Sequence, residues 1–181
     1  MKATGIVRRI DDLGRVVIPK EIRRSLRIRE GDPLEIFVDR EGEVILKKYS
    51  PIGELGEFAQ EYADTLYDAT GQIVLITDRD VVVAVAGADK RTWIDRAVPP
   101  AVEEVMESRR ARQLHGLGPA EQDDLIAVWQ LASAVVAPIV AEGDPIGTVV
   151  VATTDESRQL GETELKLVET AAGFLAKQLE G

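Results

Sequence analysis

Cysteine is absent from this 181-residue chain and histidine occurs once, at His115. Without cysteine there are no disulfides, thiolate metal sites, iron–sulfur clusters or cysteine nucleophiles. A single histidine excludes multi-histidine zinc sites and leaves one place for an imidazole proton shuttle. A metal site could rest only on carboxylates and carbonyls, which restricts it to hard cations. Long apolar runs are missing too. No stretch reaches the roughly 18 residues of a membrane helix, and the start of the chain lacks the apolar core of a signal peptide. These absences predict a cytoplasmic protein with no membrane partner, no metal and no cofactor. No Gly-rich phosphate loop, no Ser–His–Asp order, no internal repeat and no low-complexity segment stands out, so no catalytic residues are assigned and no enzyme is expected.

Apolar residues make up 45% of the chain and charged residues 30%, an ordinary globular balance for one domain or two small ones. The net charge of −10 is unevenly spread. Residues 1–50 hold 12 Lys/Arg against 9 Asp/Glu, whereas residues 51–181 hold 10 against 23. The first 29 residues alone hold 9 basic and 3 acidic side chains. A basic head on an acidic body suits contact between the head and a polyanion; charge alone also fits a solvated face.

The segment Lys48–Gly53, with Pro51 and Gly53, marks a boundary: a head over 1–50, a linker at 51–53 and a body over 54–181. In the head, Ile6–Ile10 and Arg15–Ile18 read as strands around the turn Asp11–Gly14. Pro19 suits the first position of a short helix, with Ile22 and Leu26 on its buried face. Leu34, Ile36 and Val38 alternate with polar or outward positions, and Val44–Leu46 follows the turn at Glu41-Gly42. So small a domain with open strand edges calls for an intertwined dimer.

The body opens with a helix over 54–69, in which Leu55, Phe58, Tyr62 and Leu66 share a face. Ile73–Thr77 and Val81–Gly87 form a hairpin across Asp78–Asp80, Pro99–Arg110 reads as a helix, and residues 111–125 give a weak pattern. Ala134–Ala141 and Ile146–Thr153 are two more strands, and Leu165, Val168, Ala172, Leu175 and Leu179 lie along a closing helix over 162–179. The pattern is α+β with a largely antiparallel sheet. The terminal helices are apolar on more than one side, which predicts a bundle between subunits and, with the head dimer, a tetramer.

Arg8 and Arg9 are adjacent in a strand, Arg15 leaves the turn, and Arg23 and Arg24 sit on the short helix with Arg27 four residues beyond Arg23. Dipole complementarity and edge protection explain such residues without a ligand. Phosphate and base-edge contact explains them with one, because the planar guanidinium fork suits both. Residues 1–33 contain no aromatic side chain, so stacking on single-stranded bases is not supported.

The stretch Met1–Arg24, with Gly31-Asp32-Pro33-Leu34-Glu35-Ile36 after it, closely resembles the AbrB-type swapped-hairpin DNA-binding domain. Its most specific part is Asp12-Leu13-Gly14-Arg15-Val16-Val17-Ile18-Pro19. With the body included, the whole chain resembles the stage V sporulation protein T family of spore-forming bacteria. The resemblance implies an interleaved dimer that grips double-stranded DNA with Arg8, Arg15, Arg23 and Arg24, supported by Lys2 and Arg9. The implied function is a transcription regulator, activator or repressor, of sporulation genes, located on the nucleoid. The alternative is a swapped-hairpin antitoxin that regulates its own operon, although such antitoxins end in a flexible tail and this chain continues into a folded body.

Ala137–Val151 resembles the closing hairpin of a GAF domain, and the helix from Glu162 resembles the one that ends that fold, with Gly161 where Ser or Thr commonly caps. GAF domains commonly bind small molecules, which makes the body a candidate sensor. Arg91, Trp93 and Trp129 are the candidate ligand residues, within a segment that also holds Arg96, Arg109, Arg110 and Arg112. Aromatic and basic residues together suit an anionic or planar metabolite, and equally suit core and surface. His115, in His115-Gly116-Leu117-Gly118, reads as exposed and inert rather than as a haem ligand. Asp78/Asp80 and Asp123/Asp124 read as turn and cap residues rather than as a cation site.

Overall fold

Residues 5–115 and 128–180 are described by the computed structural model of the chain. They fall into two units, Met1–Tyr49 and Ser50–Gly181. The head contains α1 (Lys20–Ser25), β1 (Leu34–Val38) and β2 (Val44–Lys48). β1 and β2 form an antiparallel hairpin, with Leu34 opposite Lys48 and Val38 opposite Val44. Asp39 builds its turn by accepting the N–H groups of Glu41 and Glu43, each at 2.9 Å. Asp11 does the same one turn earlier: Oδ1 accepts from the N–H of Leu13 at 3.0 Å and of Arg15 at 2.8 Å.

The strands expected on either side of the Asp11 turn do not form. Ile6–Ile10 and Arg15–Ile18 join no sheet, and β1–β2 is the head's only pairing among the described residues. A ladder needs a neighbour to take its N–H and C=O groups, and the two arms meet only at the turn, where the Asp11 N–H donates to the Arg15 carbonyl at 3.0 Å. Pro19 stands at the N-cap, one residue before its expected place. The expected buried face of α1 is also absent: no residue of the helix is buried, and Leu26 is 56% exposed.

The body contains α2 (Pro51–Glu54), α3 (Gly56–Thr70), β3 (Ile73–Thr77), β4 (Val82–Ala86), α4 (Lys90–Trp93), α5 (Pro100–Ser108), β5 (Arg112–His115), β6 (Ser133–Ala141), β7 (Asp144–Thr153) and α6 (Glu162–Glu180). Residues 51–53, expected as a linker, lie in the single turn of α2. Ser50 caps that turn, its Oγ accepting the Gly53 N–H at 3.0 Å. Pro51 follows where its missing N–H costs nothing, and Ile52 is fully buried. Burying a side chain of that size contributes about 1.5–3 kcal/mol, which ties the turn to the body.

The sheet order is β4-β3-β7-β6-β5, antiparallel throughout. Its residues alternate between two apolar layers. Val74, Ile76, Val135, Ala137, Val149 and Val151 share a core with Ala59, Ala63 and Leu66 of α3 and Val168, Ala172 and Leu175 of α6. Leu75, Ala134, Val136, Val150 and Ala152 share the other with Trp93, Val102, Val105 and Trp129. Coverage of both faces explains why these strands read as continuous apolar runs. β5 lies in the stretch whose pattern is weak, because it has four residues and buries only Leu114. α6 begins with half a capping box: the Gly161 N–H donates to the Glu164 carboxylate at 2.9 Å, and glycine has no side chain to return the bond. Among the described residues no helix is long and apolar enough to cross a membrane.

Candidate nucleic-acid interface

Arg9 and Arg15 stand on the two arms of the Asp11 turn, and Arg8 precedes Arg9; all three are exposed. Arg23 and Arg24 occupy the last turn of α1, where cations are favoured by the helix dipole. Among the described residues, the guanidinium groups of Arg8, Arg9, Arg23 and Arg24 meet no carboxylate or carbonyl. Arg15 is the exception. Its Nε donates to Asp11 Oδ2 at 2.8 Å, yet its side chain stays 69% exposed. The bond runs through Nε and leaves the outer edge of the fork for another acceptor. The Arg15 N–H and then its guanidinium hold the Asp11 carboxyl below the usual carboxylate range. The turn therefore orients Arg15 through a charge that needs no burial. Lys2 lies outside the described residues.

The body's candidates are arranged differently. Trp93 and Trp129 meet edge to face with centroids 5.6 Å apart, and Trp129 is 1% exposed. The Trp129 Nε1–H donates to the Ala97 carbonyl at 3.1 Å. Arg96 lies 4.7 Å above the Trp93 ring and donates to the Val128 carbonyl, so it holds a cation–π contact and a backbone bond together. Arg91 is exposed on α4. Arg109 and Arg110 are exposed as well, and Arg112 pairs with Glu104 at 3.3 Å. Both indoles thus belong to the core layer beside α5.

His115 ends β5 in an exposed position, its Nδ1 3.4 Å from Ser133 Oγ. The Gly116-Leu117-Gly118 segment and Asp123/Asp124 lie outside the described residues. Asp78 is a turn residue: Oδ1 accepts the N–H groups of Asp80 and Val81 at 2.8 Å each, and Oδ2 accepts the Ser50 hydroxyl at 2.9 Å. Among the described residues no three His, Asp or Glu side chains are grouped to hold a metal ion. On the outer side of α3 and α6, Phe174 stacks on Phe58 at 6.0 Å and on Tyr62 at 5.4 Å while remaining 41% exposed.

Two family models match the chain. One is described as stage V sporulation protein T C-terminal, transcription factor, and covers residues 54–180. The other is described as antidote-toxin recognition MazE, bacterial antitoxin, and covers residues 7–54. Stage V sporulation protein T of Bacillus subtilis (strain 168) is 58% identical over 186 residues, spanning 99% of this chain and 99% of that protein. The transition state regulatory protein AbrB of the same organism is 53% identical over 75 residues, spanning 41% of this chain and 77% of its own. The blue-light absorbing form of the Thermosynechococcus elongatus PixJ GAF domain superposes with a TM-score of 0.56 at 19% identity, covering 74% of this chain and 89% of that one. At that identity the likeness is one of fold, and it gives the body a GAF-like architecture. Because the sequence identity runs through head and body alike, the chain belongs to the stage V sporulation protein T family.

Proposed function

We infer that the chain is a DNA-binding transcription regulator of sporulation genes that works on the nucleoid. The observation that carries this reading is the 58% identity to stage V sporulation protein T of Bacillus subtilis over 99% of both chains. The head's chemistry supports it. Arg8, Arg9, Arg15, Arg23 and Arg24 are exposed and offer guanidinium forks suited to phosphates and to guanine edges. Lys2 adds a further charge.

A second copy of the head completes the unit. Val7, Ile10, Val17, Ile36 and Val38 are each more than two-thirds exposed, and the arms of the Asp11 turn have open ladder groups. An intertwined partner covers both and doubles the number of arginines. The bodies then pair through the Phe58, Tyr62 and Phe174 seam, joining two head dimers into a tetramer. A sensing role for the body rests on Arg91 and the Trp93 face. A planar anion there is drawn to the Arg96 guanidinium above Trp93, and Trp129 stays in the core.

A footprint of the purified chain on genomic DNA tests the main reading. A head dimer making about three to five phosphate contacts per head gives a slope of log K against log salt of roughly −5 to −9. A slope near zero overturns it. The match of residues 7–54 to the antitoxin model favours a second reading, in which the head regulates its own toxin–antitoxin operon. A toxin frame beside the gene, whose product this chain neutralises in a growth assay, decides for that reading.

A further inference from the structure

α1 ends in a Schellman turn. The Ile28 N–H donates to the Arg23 carbonyl at 2.8 Å, and the Arg27 N–H donates to the Arg24 carbonyl at 3.2 Å. The residue at the left-handed position is Arg27, with φ 52°. That conformation crowds a Cβ against the following carbonyl, and it normally selects glycine. The head follows this rule elsewhere: its other positive-φ positions among the described residues are Gly14, Gly31 and Gly42. In the body, α3 ends on Gly71, at φ 63°, and α5 ends on Arg109, at φ 53°. Arg27 is the head's one departure.

The backbone there is held from outside. The Arg27 carbonyl accepts Lys48 Nζ at 2.9 Å, and the same ammonium lies 3.7 Å from Asp32 Oδ2. Asp32 Oδ2 in turn accepts the Arg29 N–H at 2.8 Å. The side chain, by contrast, is exposed and has no hydrogen-bond or ion-pair partner among the described residues. It also stands four residues from Arg23, a spacing at which like charges repel. Capping, packing and pairing all favour glycine at this place. Contact with a polyanion favours arginine.

We propose that Arg27 is a DNA-contact residue, kept in a strained backbone conformation to extend the Arg23–Arg24 cluster past the end of α1. The proposal rests on DNA binding by the head. Strain held at a binding surface by surrounding bonds is the signature expected of such a residue. The variant Arg27→Gly separates stability from binding, because the two readouts move in opposite directions. In the full-length chain, it raises the melting temperature of the head by about 2–5 °C. It also weakens binding to a footprinted duplex about 5- to 20-fold near 0.1 M salt, and it flattens the salt slope by about 1–2 units for a two-headed complex. Arg27→Ala, which keeps a Cβ in the left-handed region, weakens binding equally without raising the melting temperature. Wild-type binding with unchanged affinity and slope in Arg27→Gly overturns the proposal alone, as does a fall in the melting temperature of that variant. A wild-type chain that binds no duplex DNA overturns both the proposal and the reading beneath it.

Discussion

In the body, residues from Ile52 to Ala176 supply every buried apolar side chain of the two cores, whereas Pro19 is the only buried residue among the described positions of the head. The contrast does not come from composition, since both parts are rich in valine, isoleucine and leucine. It comes from what lies beside each strand. The body's five strands have neighbours in the sheet and helices on both faces, all drawn from one chain. Among the described residues, no side chain of the head's hairpin strands is buried, and the arms of the Asp11 turn join no sheet. Within one chain the body closes its two cores, and the head leaves its apolar side chains uncovered. The head is also the part in which Arg8, Arg9, Arg23, Arg24 and Arg27 have no ion-pair or hydrogen-bond partner among the described residues.

The largest effect that can break this contrast is dilution. Residues 1–50 alone lose their structure as concentration falls through the dimer dissociation constant, while residues 50–181 keep theirs. Far-UV circular dichroism over a concentration series checks both, and a head that stays folded as a monomer ends the comparison. Within the body, Trp129→Ala removes a fully packed indole and costs about 3–5 kcal/mol in chemical denaturation. If its cost is under ~1 kcal/mol, the layer beside α5 is not a true core. Gly147→Ala comes next. A Cβ at Gly147 would sit 2.0 Å from the Thr77 carbonyl oxygen, so β3 and β7 must shift apart, at a cost of about 1–3 kcal/mol.

Smaller effects sharpen the contrast. Phe174→Glu places a charge in the exposed aromatic seam and halves the assembly by light scattering, with the body's melting temperature nearly unchanged; an unaltered mass rules the seam out as an interface. The smallest effect is at the start of α6. The Gly161 N–H, the largest cause, holds the Glu164 carboxyl below its ordinary value of 4.5. Its contribution is therefore present above that value and fades as pH falls through the lowered one. Glu164→Gln flattens the acid limb of the body's stability curve slightly; an identical limb shows that the bond contributes nothing.

Several features were legible before any coordinates. The turn at Asp11–Gly14, the alternation at Leu34–Val38 and the amphipathic spacing of α3 and α6 lie within short windows, where backbone chemistry and period suffice. The arginines of the head were legible as a charge asymmetry. Trp93 and Trp129 were not separable into ligand and core residues, because an aromatic side chain in an irregular segment is compatible with either. Their edge contact, and the Trp129 bond to Ala97, exist only after residues 36 and 32 positions apart have met.

Sequence alone determined the charge division, the absence of thiol chemistry, the helical and strand periods and the run Asp12–Pro19 that carries the family likeness. The first two are counts along the chain, and the periods and the run are local, each written within a single element or turn. Tertiary structure decided which apolar faces find a cover, that Pro51–Ile52 belongs to the body, and that the arms around Asp11 join no sheet among the described residues. It also set the left-handed backbone at Arg27, which depends on a lysine 21 residues away. A period states which face of an element is apolar, and only the folded chain states what covers that face.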